Sequence, residues 1–121
     1  MSLPRVLVVA DVPSPRTELW RWVPGYEGLY KISSFGRIAS YRLRGSRGVR
    51  ANSSKILRGS RHSSRYIYFR LYDEDRRTWR KHYLGPLMLE VFVGPRPPGQ
   101  EARHLDGNPV RNVLANLSWG T

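Results

Sequence analysis

A histidine and two asparagines in the last quarter of the chain have the types and spacing to do chemistry. His104 precedes an Asp-Gly-Asn turn, and Asn112 and Asn116 follow that turn. An imidazole can take a proton from water, and carboxamide side chains can hold the imidazole by hydrogen bonds. The spacing predicts that a tight turn follows His104 and that a second short strand brings the amides back toward it. A histidine held in this way near a phosphate is suited to act as a general base.

Short elements upstream are expected to position these side chains. Residues 66–84 alternate apolar and polar side chains around an acidic turn, a pattern that predicts a β-hairpin. The apolar run that follows predicts a helix over Pro86–Val93, because proline suits a first helical turn and a glycine ends the run. Leu117–Trp119 is expected to pair with the strand around Ala102–Leu105 and to lie near that helix.

The carboxyl-terminal segment closely resembles the HNH endonuclease motif, in the phage and intron-encoded homing-nuclease branch where the last histidine is commonly asparagine. The resemblance implies that His104 is the general base and that Asn116, twelve residues later, is the middle asparagine that orients the loop and the imidazole. Asn112 joins them in the catalytic group, with a role in stabilising the turn. The residues that carry the resemblance are Leu87, Phe92, Gly94, Pro97, Gly99, His104, Asp106, Gly107, Asn112, Asn116, Leu117, Trp119, Gly120 and Thr121.

The same resemblance implies one divalent cation, Mg²⁺ or Mn²⁺, that polarises the scissile phosphate while the histidine deprotonates water. No zinc is expected, because the chain has no cysteine. Three positions depart from the family pattern. Arg103 stands where many relatives have an aspartate ligand, and Gly85 stands where a histidine often begins the preceding helix, with His82 as a nearby substitute. The helix that carries the last ligand would follow Thr121, so the metal ligands stay unassigned.

The charge of the chain predicts a nucleic-acid partner. Its 121 residues include 21 basic and nine acidic side chains, which gives a net charge of +12. Fourteen of the basic residues and three of the acidic ones lie within 37–82. Arginine binds phosphate through paired hydrogen bonds, so we expect this section to follow the backbone of DNA, with RNA as the alternative. The expected contacts are Arg37, Arg42, Arg44, Arg47, Arg50, Lys55, Arg58, Arg61 and Arg103.

Residues 19–40 predict short antiparallel strands around glycine turns and resemble the small NUMOD-type module that often precedes the HNH motif. Trp22, Tyr30 and Ile32 are expected in the core, and Arg37 is expected to be exposed at a turn. Residues 41–65 are rich in Arg, Ser and Gly and are expected to form a mobile loop with a short strand at Lys55–Leu57. The matching residues are Trp22, Pro24, Gly25, Tyr26, Gly28, Tyr30, Ile32, Ser33, Gly36, Arg37 and Ile38.

These features predict an α+β fold in which a small antiparallel β module precedes a ββα-metal HNH motif whose last helix is missing. The expected divisions are an amino-terminal arm or edge strand at 1–18, a NUMOD-like β module with a basic loop at 19–82, and the HNH motif at 83–121. No apolar run reaches the length of a membrane span, and no signal peptide is recognised. We therefore expect no membrane partner and a location in the cytoplasm of a bacterium or of a phage-infected host.

Two functions stay open at this point. The first is a metal-dependent DNA endonuclease that nicks or cuts phosphodiester bonds, with the missing ligand supplied by a protein partner that completes the final helix or by the chain terminus. The second is a catalytically degenerate module that binds DNA or RNA as a structural or regulatory part of a nucleoprotein assembly. His104 with its two asparagines favours the enzyme, whereas Gly85, Arg103 and the missing helix favour the binding module.

Overall fold

Three antiparallel sheets and one helix make up the described part of the chain, which in this computed structural model is residues 16–43, 50–61 and 65–121. The order of the elements confirms the α+β prediction. No helix in this part is long and apolar enough to cross a membrane. The elements are β1 (Trp20–Trp22), β2 (Tyr30–Ser33), β3 (Ile38–Arg42), β4 (Arg50–Ile56), β5 (Ser60–Arg61), β6 (Ile67–Asp73), β7 (Thr78–Tyr83), α1 (Leu84–Phe92), β8 (Glu101–His104), a 3-10 turn (Leu114–Asn116) and β9 (Leu117–Gly120).

The first sheet confirms the antiparallel strands expected over residues 19–40, since β1, β2 and β3 pair in chain order. Ile32 and Ile38 are opposite each other in this pairing and are fully buried, and Tyr30 is buried as predicted. Trp22 is different, because 39% of its surface is exposed and the Lys31 ammonium lies 4.7 Å from its ring centroid. The prediction of a core position for Trp22 is therefore wrong, since it lies on an edge strand.

Strand β4 corrects the expectation of a mobile loop over residues 41–65, although the short strand expected at Lys55–Leu57 overlaps its end. It pairs with β3 at the edge of the first sheet, with a shift in register between Ser40 and Arg42. Its side chains from 53 to 56 are exposed. Backbone hydrogen bonds to β3 hold this strand, and the sequence pattern therefore indicated only its end. Residues 44–49 and 62–64 lie outside the described part.

The hairpin and the helix form next to each other as predicted. Strands β6 and β7 pair along their whole length, and α1 follows β7 directly, two residues earlier than expected. The helix buries Leu87, Met88 and Leu89. In the third sheet β8 pairs with β9 so that His104 lies opposite Leu117, which confirms the expected pairing.

A single hydrophobic cluster joins the two blocks that the sequence analysis separates between residues 82 and 83. Ile32 and Ile38 of the first sheet belong to the same cluster as Leu71 of β6, Met88 of α1 and Leu117 of β9. The blocks 19–82 and 83–121 therefore share one core. The expected arm at 1–18 lies, up to residue 15, outside the described residues, and the division into three segments stays a prediction.

The side chain of His82 is half-buried inside this fold and should make stability depend on pH. Its Nε2 lies 2.8 Å from the Tyr26 hydroxyl. Burial, followed by repulsion from Arg80, lowers the pKa of His82 below its usual value. In the unfolded chain His82 takes up a proton near pH 6.5, whereas in the folded chain it is protonated only at a lower pH. The free energy of unfolding should therefore fall as pH drops through and below about 6.5.

Urea unfolding at several pH values between about 5 and 7.5 tests this dependence. The parent chain should lose more stability on acidification than His82→Gln, which cannot be protonated. Parallel losses in the two proteins would show that other groups cause the pH dependence.

Candidate active site

An imidazole and a carboxamide meet where β8 ends. The Nε2 atom of His104 lies 2.8 Å from Oδ1 of Asn112. The Nδ2 of Asn112 donates a hydrogen bond to the carbonyl oxygen of Pro109 at 3.2 Å, which turns Oδ1 toward the imidazole. Because Oδ1 can only accept, Nε2 carries the proton and Nδ1 keeps the lone pair. The pair is therefore arranged so that Nδ1 can take a proton from water.

Asn116 holds the loop that follows His104. Its side chain is buried, and its Oδ1 accepts a hydrogen bond from the Asp106 N–H at 3.1 Å. Its Nδ2 donates to Oδ1 of Asp106 and to the carbonyl oxygen of Arg111, both at 2.9 Å. Hydrogen bonds from the Asn108 N–H and then from Asn116 lower the pKa of Asp106. This network fixes the turn between the histidine and the two asparagines.

The roles of the two asparagines therefore differ in part from those expected. Asn116 orients the loop, as predicted, but the imidazole is oriented by Asn112. The reason is geometric, because the 3-10 turn at Leu114–Asn116 directs the Asn116 side chain toward Asp106. Counting residues along the chain placed both amides near the histidine but did not show which one contacts its ring.

The turn between β2 and β3 supports the backbone of Asn112. The N–H of Leu114 donates to the carbonyl oxygen of Ser34 at 2.8 Å. Gly36 lies against Asn112 so closely that an added Cβ would collide with the Asn112 carbonyl oxygen, and its φ is +84°. Only glycine combines this conformation with this approach. Sequence reasoning found Gly36 as a turn residue, but nothing local in the sequence indicates its contact with Asn112.

A cavity of about 350 Å³ opens beside His104. Its lining includes Tyr66 and Tyr83, and the Tyr66 ring centroid lies 6.1 Å from that of the imidazole. Gly85, in the first turn of α1, leaves room there, since a Cβ at this position would lie 3.6 Å from both the imidazole Cε1 and the Asn112 Oδ1. Position 85 therefore faces the site. His82, the proposed substitute, instead contacts the Tyr26 hydroxyl.

The described residues do not identify the ligands of the expected metal ion. Within the described ranges no group of three His, Asp or Glu side chains could hold an ion. Arg103, next to the histidine in sequence, places its guanidinium 3.3 Å from the carbonyl oxygen of Thr121 and brings positive charge instead of a ligand. The expected Mg²⁺ or Mn²⁺ ion therefore stays a prediction, with its ligands unassigned.

Several of the predicted phosphate contacts are exposed. The surface includes Lys55 on β4, Arg58 on the link between β4 and β5, and Arg61 on β5. Arg103 is exposed on β8. The side chain of Arg50 is not described, and Arg44 and Arg47 lie outside the described residues. The exposed positions are accessible to a nucleic acid, and their role stays a prediction.

Arg37 and Arg42 are already engaged within the protein. The Arg37 guanidinium donates to both carboxylate oxygens of Glu18, at 2.8 and 2.5 Å, which lowers the pKa of Glu18. Arg37 is exposed at a turn, as expected, but its charge is paired with this nearby carboxylate. The Arg42 guanidinium carbon lies 4.3 Å from the ring centroid of Tyr72 and 5.2 Å from that of Trp79.

The chain is similar to known proteins in two ways. Residues 18–72 match the NUMOD4 motif. The structure is similar to a solved structure of the HNH homing endonuclease I-HmuI, which is described by its DNA binding and cleavage. The TM-score is 0.68 and the sequence identity is 24%, and the match covers 85% of this chain and 52% of that chain. This chain therefore spans about half the length of that enzyme. None of the curated proteins matches this chain. Together the motif and the fold confirm the resemblance inferred from the sequence.

Proposed function

Because the chain has the fold of an HNH homing endonuclease and carries a NUMOD4 motif, we propose that it binds DNA and hydrolyses phosphodiester bonds, with His104 as the general base. One observation carries the proposal. The hydrogen bond between His104 and Asn112 fixes the proton on Nε2 and leaves Nδ1 as the acceptor in an imidazole that lines an open cavity. An unsupported surface histidine would have neither a fixed tautomer nor a fixed ring.

Asn112 supports the proton transfer at each stage. Before the reaction its Oδ1 holds the ring through Nε2, at 2.8 Å. When Nδ1 takes the proton from the attacking water, the ring becomes cationic and the same hydrogen bond becomes charge-assisted, which stabilises the imidazolium. The water oxygen then forms a bond to phosphorus as the bond to the leaving oxygen breaks, and the leaving oxygen takes a proton from solvent.

The second candidate is a DNA-binding module without catalytic activity. It is favoured by the donor atoms around the histidine, which within the described ranges include no group of three metal-binding side chains. Gly85 adds to this, since it provides no side chain where the family often has a histidine. In this candidate the cavity and the basic surface serve binding alone.

Incubation of the purified chain with supercoiled plasmid, in Mg²⁺, in Mn²⁺ and in EDTA, separates the two candidates. The proposed enzyme should convert the plasmid to nicked or linear forms in at least one cation, and His104→Ala should not. If the chain binds DNA but does not cut it in either cation, the second candidate is correct. Cleavage that persists equally in His104→Ala would identify a contaminating nuclease.

DNA binding itself should depend strongly on salt. If about six arginines of the 37–82 section neutralise phosphates, the logarithm of the binding constant should fall against the logarithm of salt concentration with a slope near −5. Arg58→Gln combined with Arg61→Gln removes two exposed charges and should flatten the slope by about 2. Anisotropy titrations on a labelled duplex at several NaCl concentrations measure both slopes. A slope close to zero in the parent chain would contradict binding through phosphates.

A further inference from the structure

The outer face of the β6–β7 hairpin carries aromatic and cationic side chains in a regular order. Three cross-strand pairs follow each other along this face: an aromatic pair, a pair of cations and a second aromatic pair. We call this surface the aromatic ladder. Its six residues are Tyr68 with Tyr83, Arg70 with Lys81, and Tyr72 with Trp79.

The ladder faces away from the core. Alternate residues of β6, such as Leu71, are buried on the opposite face of the hairpin. The ring centroids are 6.0 Å apart in the pair of Tyr68 and Tyr83 and 5.2 Å apart in the pair of Tyr72 and Trp79, and the ring planes in both pairs are inclined at 67°. Trp79 remains 52% exposed and Tyr83 39% exposed. Contiguous exposed aromatic surface is a feature of interaction sites.

Cations accompany both aromatic pairs. The Lys81 ammonium lies 4.5 and 4.8 Å from the ring centroids of the first pair, and the Arg42 guanidinium carbon lies 4.3 and 5.2 Å from those of the second. Arg70 is exposed between the two pairs. No acidic residue occupies any of the six ladder positions. The surface therefore combines positive charge with flat apolar rings and is complementary to a polyanion that also carries aromatic groups.

The ladder leads toward the candidate active site. Tyr83, at its end, also lines the cavity beside His104. Tyr66 lines the same cavity and lies close to the imidazole. A strand bound along the ladder could therefore continue into the cavity without crossing a surface of different chemistry.

We propose that the aromatic ladder binds single-stranded DNA, with bases stacked on Trp79 and Tyr83 and phosphates paired with Arg70 and Lys81. Stacking on a side chain requires an unpaired base, because a duplex exposes only the edges of its bases and its phosphates. An acidic protein would satisfy the cations but would leave the aromatic rings without stacking partners. The inference rests on the proposed function in taking DNA as the ligand, and it adds that the bound strand is unpaired.

Anisotropy titrations in EDTA test the inference without any cleavage. The ligands are a labelled single strand of about 20 nucleotides and the duplex of the same sequence. Trp79→Leu combined with Tyr83→Leu keeps apolar side chains but removes the rings, and it should weaken single-strand binding by about 10- to 100-fold while duplex binding changes by less than about threefold. Phe35→Leu is the matched control, since Phe35 is an exposed aromatic residue outside the ladder, and it should change neither affinity.

Unchanged single-strand affinity in the double variant, or an equal loss for both ligands, would overturn the inference. Complete displacement of the strand by polyglutamate of equal charge would also overturn it, because charge alone would then explain binding. If the double variant does not fold, the quenching of tryptophan fluorescence by DNA is measured instead. Single-stranded DNA should quench the parent more than Trp79→Phe, and equal quenching would contradict the ladder. Duplex binding without single-strand binding removes only this inference, whereas failure to bind either ligand also removes the proposed function.

Discussion

His104→Ala is expected to lower the rate of DNA cleavage by about 10²- to 10⁴-fold, the usual contribution of a general base. The loss follows from the geometry, because Nδ1 is the ring nitrogen that the hydrogen bond to Asn112 leaves free to accept a proton. DNA affinity should change little, since the imidazole is half-buried and the exposed cations remain. Single-turnover cleavage of plasmid, with affinity measured in parallel, checks both statements.

Variants at Asn112 show whether it acts through the histidine. As a positioning residue, it should give a smaller loss than His104→Ala when replaced by alanine, and the double variant should be no slower than His104→Ala alone. Asn112→Asp keeps an acceptor for Nε2 and adds negative charge, so it should retain more activity than Asn112→Ala. Independent, multiplying losses in the double variant would show that Asn112 has some other role.

Gly36→Ala is expected to lower the free energy of unfolding by about 2–4 kcal/mol. Two causes act together, because the residue has a φ of +84° and because its Cβ would collide with the carbonyl oxygen of Asn112. Gly25→Ala is a matched control, since Gly25 also has a φ of +84° but has no atom within 4 Å of an added Cβ. Gly25→Ala should therefore show only the conformational cost of about 1 kcal/mol. Urea unfolding of both variants measures the difference.

The same two variants should differ in catalysis. Displacement of the Asn112 backbone would weaken its hold on the imidazole, so Gly36→Ala should slow cleavage at temperatures where it remains folded, and Gly25→Ala should not. Equal rates in the two folded variants would mean that Asn112 tolerates the shift. Equal losses of stability would mean that the contact with Gly36 is easily relieved.

Patterns that are local in the sequence predicted much of this fold. The alternation in β6 and β7 and the apolar run of α1 each depend on neighbouring residues, so the elements were found close to their observed limits. The pairing of β8 with β9 was also predicted, because the resemblance fixed the order of its residues.

The predictions that were wrong or incomplete depend on contacts distant in the sequence. β4 begins at Arg50, five residues before the predicted strand at Lys55–Leu57, because it is held by backbone hydrogen bonds to β3 that no side-chain pattern records. The pairing of Arg37 with Glu18 joins residues that are 19 positions apart. Which asparagine contacts the imidazole depends on the direction of a short 3-10 turn. The contact of Gly36 with Asn112 depends on where two sheets meet. Composition and spacing contain none of this information.

The single core limits how this chain could have exchanged parts with other proteins. The NUMOD4 match ends at residue 72, inside β6, which continues to Asp73. A recombination junction there would separate β6 from its partner β7, and Leu71 from the helix residue Met88 in the shared cluster. The collision that only glycine avoids at position 36 adds a second constraint, because the turn and the Asn112 segment must match in shape. A chimera that receives residues 18–72 from another such protein should therefore fold only if the recipient chain supplies surfaces that match those at positions 71 and 36 of the donor segment.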